Sequence, residues 1–107
     1  MQLPLPIQTY FEADRGTDSA ALAAAFDENA IVKDEGETHA GRSAIEAWWS
    51  AAKAKYRHMA EPMELHEEDG GAKVRARVTG DFPGSPAMLT FSFRFAGSRI
   101  GRLEIGI

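Results

Sequence analysis

Cysteine is absent from all 107 residues. That excludes disulfides, thiolate chemistry and cysteine-ligated metal, and removes any dependence on an oxidising compartment. Long apolar runs are missing too. Nothing approaches the roughly 20 residues of a membrane span, and Met1-Gln2-Leu3-Pro4-Leu5-Pro6 lacks the basic start and apolar stretch of a signal peptide. A cytoplasmic location without membrane contact is expected. Basic residues are outnumbered, 12 Lys and Arg against 16 Asp and Glu, for a net charge of −4. This balance argues against nucleic acid as a partner, because binding its backbone needs a concentrated basic surface. No internal repeat, low-complexity tract or flexible linker is visible. The composition, 44% hydrophobic with ordinary charge, suits one domain over residues 1–107 around a single core.

What is present divides into a helical first half and a strand-rich second half. Pro4 and Pro6 are tolerated at a helix start, and Ile7, Tyr10, Phe11 and Asp14 follow at helical spacing until Gly16. Asp18 is placed to cap a second helix whose alanine-rich body runs from Ala20 to Phe26. A short apolar strand, Ala30 to Asp34, then turns through glycine. Ser43 followed by Glu46 has the capping-box pattern, and Ile45, Trp48, Trp49, Ala52 and Tyr56 form the apolar face of a third helix. Beyond Met59 the helical period disappears. Extended runs at Met59–Glu68, Ala72–Phe82, Ala87–Ala96 and Ile100–Ile107 are separated by turn residues and read as an antiparallel meander. The expected class is α+β, with the helices covering one face of a twisted sheet.

Asp34 is the first candidate for chemistry. A carboxylate at a strand end points either into the space between sheet and helices, where it can move a proton, or outward, where it caps the Glu35-Gly36 turn or pairs with Arg42. Tyr10 either packs in the core or presents its hydroxyl to a ligand. His39, between strand and helix, is an acid–base candidate near neutral pH or an exposed turn residue; His58 and His66 carry less signal. Asp34, Glu35, Glu37 and His39 fall within six residues, yet so short an acidic turn is ordinarily solvated. No metal and no cofactor is expected. Trp48 and Trp49 diverge by about 100° on one helix, so one is assigned to core or pocket and the other to an edge or interface. Arg75, Arg77, Arg94 and Arg102 with Glu64 and Glu104 belong on the outer sheet face, where they form ion pairs or a dimer surface. Gly80 to Pro86 reads as a stiff rim loop.

The order of elements, together with Phe26-Asp27-Glu28-Asn29-Ala30-Ile31-Val32-Lys33-Asp34 and Gly41-Arg42-Ser43-Ala44-Ile45, resembles the nuclear transport factor 2-like superfamily. Within it the chain is most similar to small SnoaL-like and ketosteroid isomerase-like domains. The resemblance implies three helices packed on a curled, mainly antiparallel sheet that forms a cone with a pocket, and commonly a homodimer through the sheet. It also implies that Asp34 matches a general-base aspartate and Tyr10 a tyrosine that hydrogen-bonds the developing enolate oxygen. That steroid isomerase branch is a worked case of an aspartate base facing a tyrosine and a protonated aspartate. The second acid has no counterpart here, since its position falls at Thr90 or Phe91. The implied function is binding of a small apolar or cyclic molecule, with isomerase-, cyclase- or dehydratase-type acid–base activity. The wall residues would be Phe11, Phe26, His39, Trp48 and Phe82. The alternative is a non-catalytic ligand-binding or protein-interaction dimer module.

Overall fold

The computed structural model describes residues 1–107 as three helices on a six-stranded, curled and unclosed sheet. Helix α1 covers Leu5–Asp14 and α2 Ser19–Ala24. Strand β1 is Phe26–Asp34, β2 Glu37–Ala40, and helix α3 spans Arg42–Tyr56. Strands β3 (Met59–Glu68), β4 (Gly71–Thr79), β5 (Ala87–Ala96) and β6 (Arg99–Gly106) follow, and the sheet order is β2-β1-β6-β5-β4-β3. Only β1 and β6 run parallel; the other pairs are antiparallel. None of the helices is long and apolar enough to cross a membrane.

Side-chain alternation decides what each strand buries. Ala72, Val74, Ala76 and Val78 of β4 face the helices beside Phe91 and Phe93 of β5 and Leu103 of β6. The opposite face is polar. Glu61 stands across from Arg77 and Glu64 from Arg75, Arg75 donates to Thr90 Oγ1 at 2.9 Å, and Arg94 and Arg102 lie 3.9 and 3.7 Å from Glu68 and Glu104. Bulges at Pro62/Glu64 and Arg94/Phe95 interrupt the ladders, a device that bends a sheet.

Four local expectations change. Asp18 caps the start of α2 through the Ala20 and Ala21 amides, but the helix ends at Ala24 with Ala25 as its C-cap, and Phe26 already opens β1. The segment read as a turn after Asp34 holds a further strand, β2, joined through Glu35 (φ 53°) and Gly36 (φ 77°), the paired left-handed residues of a tight hairpin. Strand β4 ends at Thr79, so Phe82 belongs to the following loop and not to the strand face. The capping box does not form: Gly41 precedes α3 without a side-chain cap, and Glu46 instead accepts from Ser19 Oγ at 2.7 Å, tying α3 to α2.

Candidate functional site

Asp34 has the same strand parity as Ala30 and Val32, both fully buried, so its side chain turns toward the helices. There it meets α3. Trp48 Nε1 donates to Asp34 Oδ2 at 3.1 Å, whereas Arg42 is occupied elsewhere, its Nε donating to the Phe26 carbonyl at 2.9 Å. Burial raises the Asp34 pKa above its usual 3.8; the Trp48 hydrogen bond opposes that rise, the Glu35 charge adds to it, and His39 and the Glu35 amide oppose it. Asp34 is thus an accessible carboxylate with enhanced basicity, held by an indole.

One residue further along α3, the neighbouring tryptophan does the same for a second acid. Asp14 shares the inward stripe of α1 with Ile7, Tyr10 and Phe11, and only 1% of it is exposed. Trp49 Nε1 donates to Asp14 Oδ1 at 2.9 Å, Lys53 Nζ stands 3.6 Å from the same oxygen, and His58 Nδ1 lies at 3.7 Å. Lys53 also donates to the carbonyls of Asp14 and His58, which closes the cluster across α1, α3 and the start of β3. Trp48 faces the cavity, half-buried, and Trp49 the core. Their divergence along α3 gives each carboxylate its own donor.

The cavity between α1, α3 and the sheet measures about 500 Å³. Of the residues singled out from sequence, Tyr10, Asp34, His39, Trp48 and Phe82 all line it. Phe11 and Phe26 do not. They lie beneath, 3% and 0% exposed, and pack edge-on against Tyr10 with ring centroids 5.1 and 5.9 Å away. Phe93 closes a third side of the same ring at 5.6 Å, so Tyr10 is locked by aromatic packing. Burial first, then the Asp14 and Asp34 charges, push the Tyr10 pKa well above 10.0, which keeps the hydroxyl a proton donor at neutral pH. His39 sits 6.0 Å from the Trp48 ring with its Nε2 unpartnered. Asp34, Glu35, Glu37 and His39 do not converge as a metal-binding group of three or more.

The rim loop is fixed to the end of α3. The Asp81 amide donates to the Tyr56 carbonyl at 2.6 Å, and a Cβ on Gly80 would come within 2.6 Å of that same oxygen, so only glycine fits there. This anchoring sets Phe82 edge-on to Tyr56 at 6.1 Å, beside the cavity mouth.

Sequence reasoning missed Asp14 and His58 as cavity residues. Asp14 carried a signal, an acid in the buried register of an amphipathic helix; His58, in a connector after α3, carried none. Burial lowers the His58 pKa below 6.5, with Asp14 opposing and Lys53 reinforcing the shift. A histidine held neutral stabilises the fold above its unfolded-state pKa and loses that contribution as pH falls through the folded-state value. Thermal melts are expected to show stability declining below about pH 6.5, and His58→Gln should flatten that decline. An equally steep decline in the variant would assign it to other groups.

The SnoaL-like domain model matches residues 7–103. The chain belongs to that family. A candidate polyketide cyclase from Sinorhizobium meliloti is 48% identical, with a TM-score of 0.94 over 96% of this chain and 94% of that one. A protein of ketosteroid isomerase-like fold from Catenulispora acidiphila, solved with trimethylamine, superposes with a TM-score of 0.87 at 19% identity, covering 99% and 87% of the two chains. A computationally designed 17-OHP binder gives 0.82 at 15% identity, covering 100% and 92%. At those last two identities the likeness is one of fold alone. A comparison with curated proteins finds no match. The SnoaL-like assignment, read first from the Phe26–Asp34 and Gly41–Ile45 segments, is shown by the family match, and the likeness to ketosteroid isomerase-like and nuclear transport factor 2-like proteins is one of fold.

Proposed function

We propose that this SnoaL-like domain, residues 1–107, binds a small apolar or cyclic carbonyl compound in a cone-like pocket and transfers a proton at carbon. Asp34 acts as the base, and Tyr10 donates to the oxygen on which charge develops. One observation carries the reading: a basic carboxylate and an un-ionised phenol line the same cavity. Trp48, His39 and Phe82 supply walls at the reacting end, while Phe11 and Phe26 support Tyr10 from behind. The Sinorhizobium relative adds weight, because cyclising a poly-carbonyl chain also begins with loss of a proton beside a carbonyl. The chemistry is read by α-hydrogen exchange of cyclic ketones such as 2-tetralone in D2O. Exchange accelerated by the protein and lost on replacing Asp34 is expected; no acceleration over buffer would end the enzyme reading.

The non-catalytic alternative draws on the β5 residues. Phe91 faces the cavity, and Thr90 is engaged by Arg75 on the outer face, so no second acid meets Tyr10 there. The proposal further includes a homodimer through that outer face, where Met59 and Met88 are 48% and 40% exposed among the charged rows. Sedimentation equilibrium should return twice 11.7 kDa; a monomer at high micromolar concentration would refute the dimer.

A further inference from the structure

The wall formed by Asp14 and His58 has no part in the proton transfer assigned to Asp34. Asp14 Oδ1 faces the Trp49 indole, Lys53 and His58 Nδ1 together. A carboxylate 3.7 Å from Nδ1, beyond hydrogen-bond distance, still favours through its charge the imidazole tautomer protonated at that nitrogen. A neutral ring then has one bare acceptor left, Nε2. His58 lines the cavity with its side chain only 18% exposed, and the polar groups around it, Asp14 and Lys53, lie toward Nδ1 and the backbone carbonyl. No protein group donates to that nitrogen, so it stands open to the cavity, where a ligand donor can take the place of water.

We propose that His58 Nε2 accepts a hydrogen bond from a ligand hydroxyl, with Asp14 as the positioning residue. The cavity then selects small cyclic molecules carrying both a carbonyl and a hydroxyl. This rests on the small-molecule reading above and names the substrate class within it. The neighbouring charges specify a neutral donor. Lys53 already offsets Asp14, so an ammonium would crowd a second cation beside it. An anionic oxygen would face Asp14, Asp34, Glu35 and Glu37 against a single lysine in the lining, Lys55.

Two measurements test it. In the free protein at pH 7.5, nitrogen-15 NMR of the ring should show His58 protonated at Nδ1; protonation at Nε2 would overturn the proposal. Asp14→Asn should relax this to a tautomer mixture, and an unchanged tautomer would remove Asp14 from the proposal. The protein is then titrated with 2-naphthol and its methyl ether, 2-methoxynaphthalene. The naphthol should bind about tenfold tighter, the scale of one hydrogen bond, and move the His58 Nε2 resonance, whereas His58→Phe should bind both alike. Equal affinities in the parent protein would overturn the hydroxyl subsite while leaving the cavity reading intact. Binding of neither probe would overturn both.

Discussion

Asp34→Asn is expected to lower carbon proton transfer by about 10²–10⁴-fold, the usual contribution of a positioned general base, without lowering thermal stability at pH 7. The two halves of this result have one cause. Burial raises the Asp34 pKa, so the ionised carboxylate is less favourable in the folded chain than in the unfolded one. A raised folded-state pKa contributes stability below the unfolded value of about 3.8 and loses it as pH rises through the folded value. At pH 7 the charge is therefore a burden on the fold. Asparagine removes the charge, keeps an oxygen for the Trp48 indole and cannot accept a proton from carbon. Its melting temperature should equal or exceed the parent's at pH 7, and the difference should vanish near pH 3. Turnover lost together with cooperative melting would show instead that Asp34 is structural.

Asp14→Ala has the opposite signature, a large loss of stability. The substitution strips Trp49 Nε1 of its acceptor and leaves Lys53 without its nearest carboxylate in a cluster where Asp14 is 1% exposed. Breaking such a pair from one side leaves a polar group and a charge uncompensated, a cost of about 2–4 kcal/mol once the partial exposure of Lys53 is allowed for. In a domain of this size each kcal/mol moves the melting temperature by roughly 4–8 °C, so a fall on the order of 10–30 °C is expected by calorimetry. Asp14→Asn, which retains an acceptor for the indole, should lose less. A fall of under about 3 °C in the alanine variant would mean that α1 and α3 are held by apolar packing alone.

The contrast between the two aspartates explains what could be read from the chain and what could not. The meander from β3 to β6 and the inward stripe of α1 follow from period-two and period-3.6 patterns, which local sequence displays directly. Asp34 is legible as a candidate because it closes an apolar strand, while its inward direction emerges only with the register of β1 in the sheet. Asp14 lies in an equally regular pattern, Ile7, Tyr10, Phe11, Asp14, but an acid in a buried register gains meaning only from its partners. Those partners, Trp49 and His58, lie 35 and 44 positions away and are joined to it solely by the crossing of α1 with α3 and the connector beyond. The four-residue strand β2 is too short to show alternation, and its hairpin uses Glu35 at a positive φ, a conformation its residue type does not advertise. Glu46 illustrates the reverse error. Its spacing from Ser43 suggests a local cap, yet a tertiary partner, Ser19, takes its side chain.

The pair of tryptophans on α3 gives the candidate site its form, holding one half-buried carboxylate, Asp34, and one almost fully buried, Asp14, in the walls of the same cavity. The decisive measurement is a crystal structure of the protein soaked with a panel of small cyclic ketones, phenols and steroids. Density for a ligand whose oxygen meets the Tyr10 hydroxyl while an adjacent carbon lies against Asp34 is the predicted result. A cavity filled by its own side chains, with Asp34 turned to solvent, would contradict it.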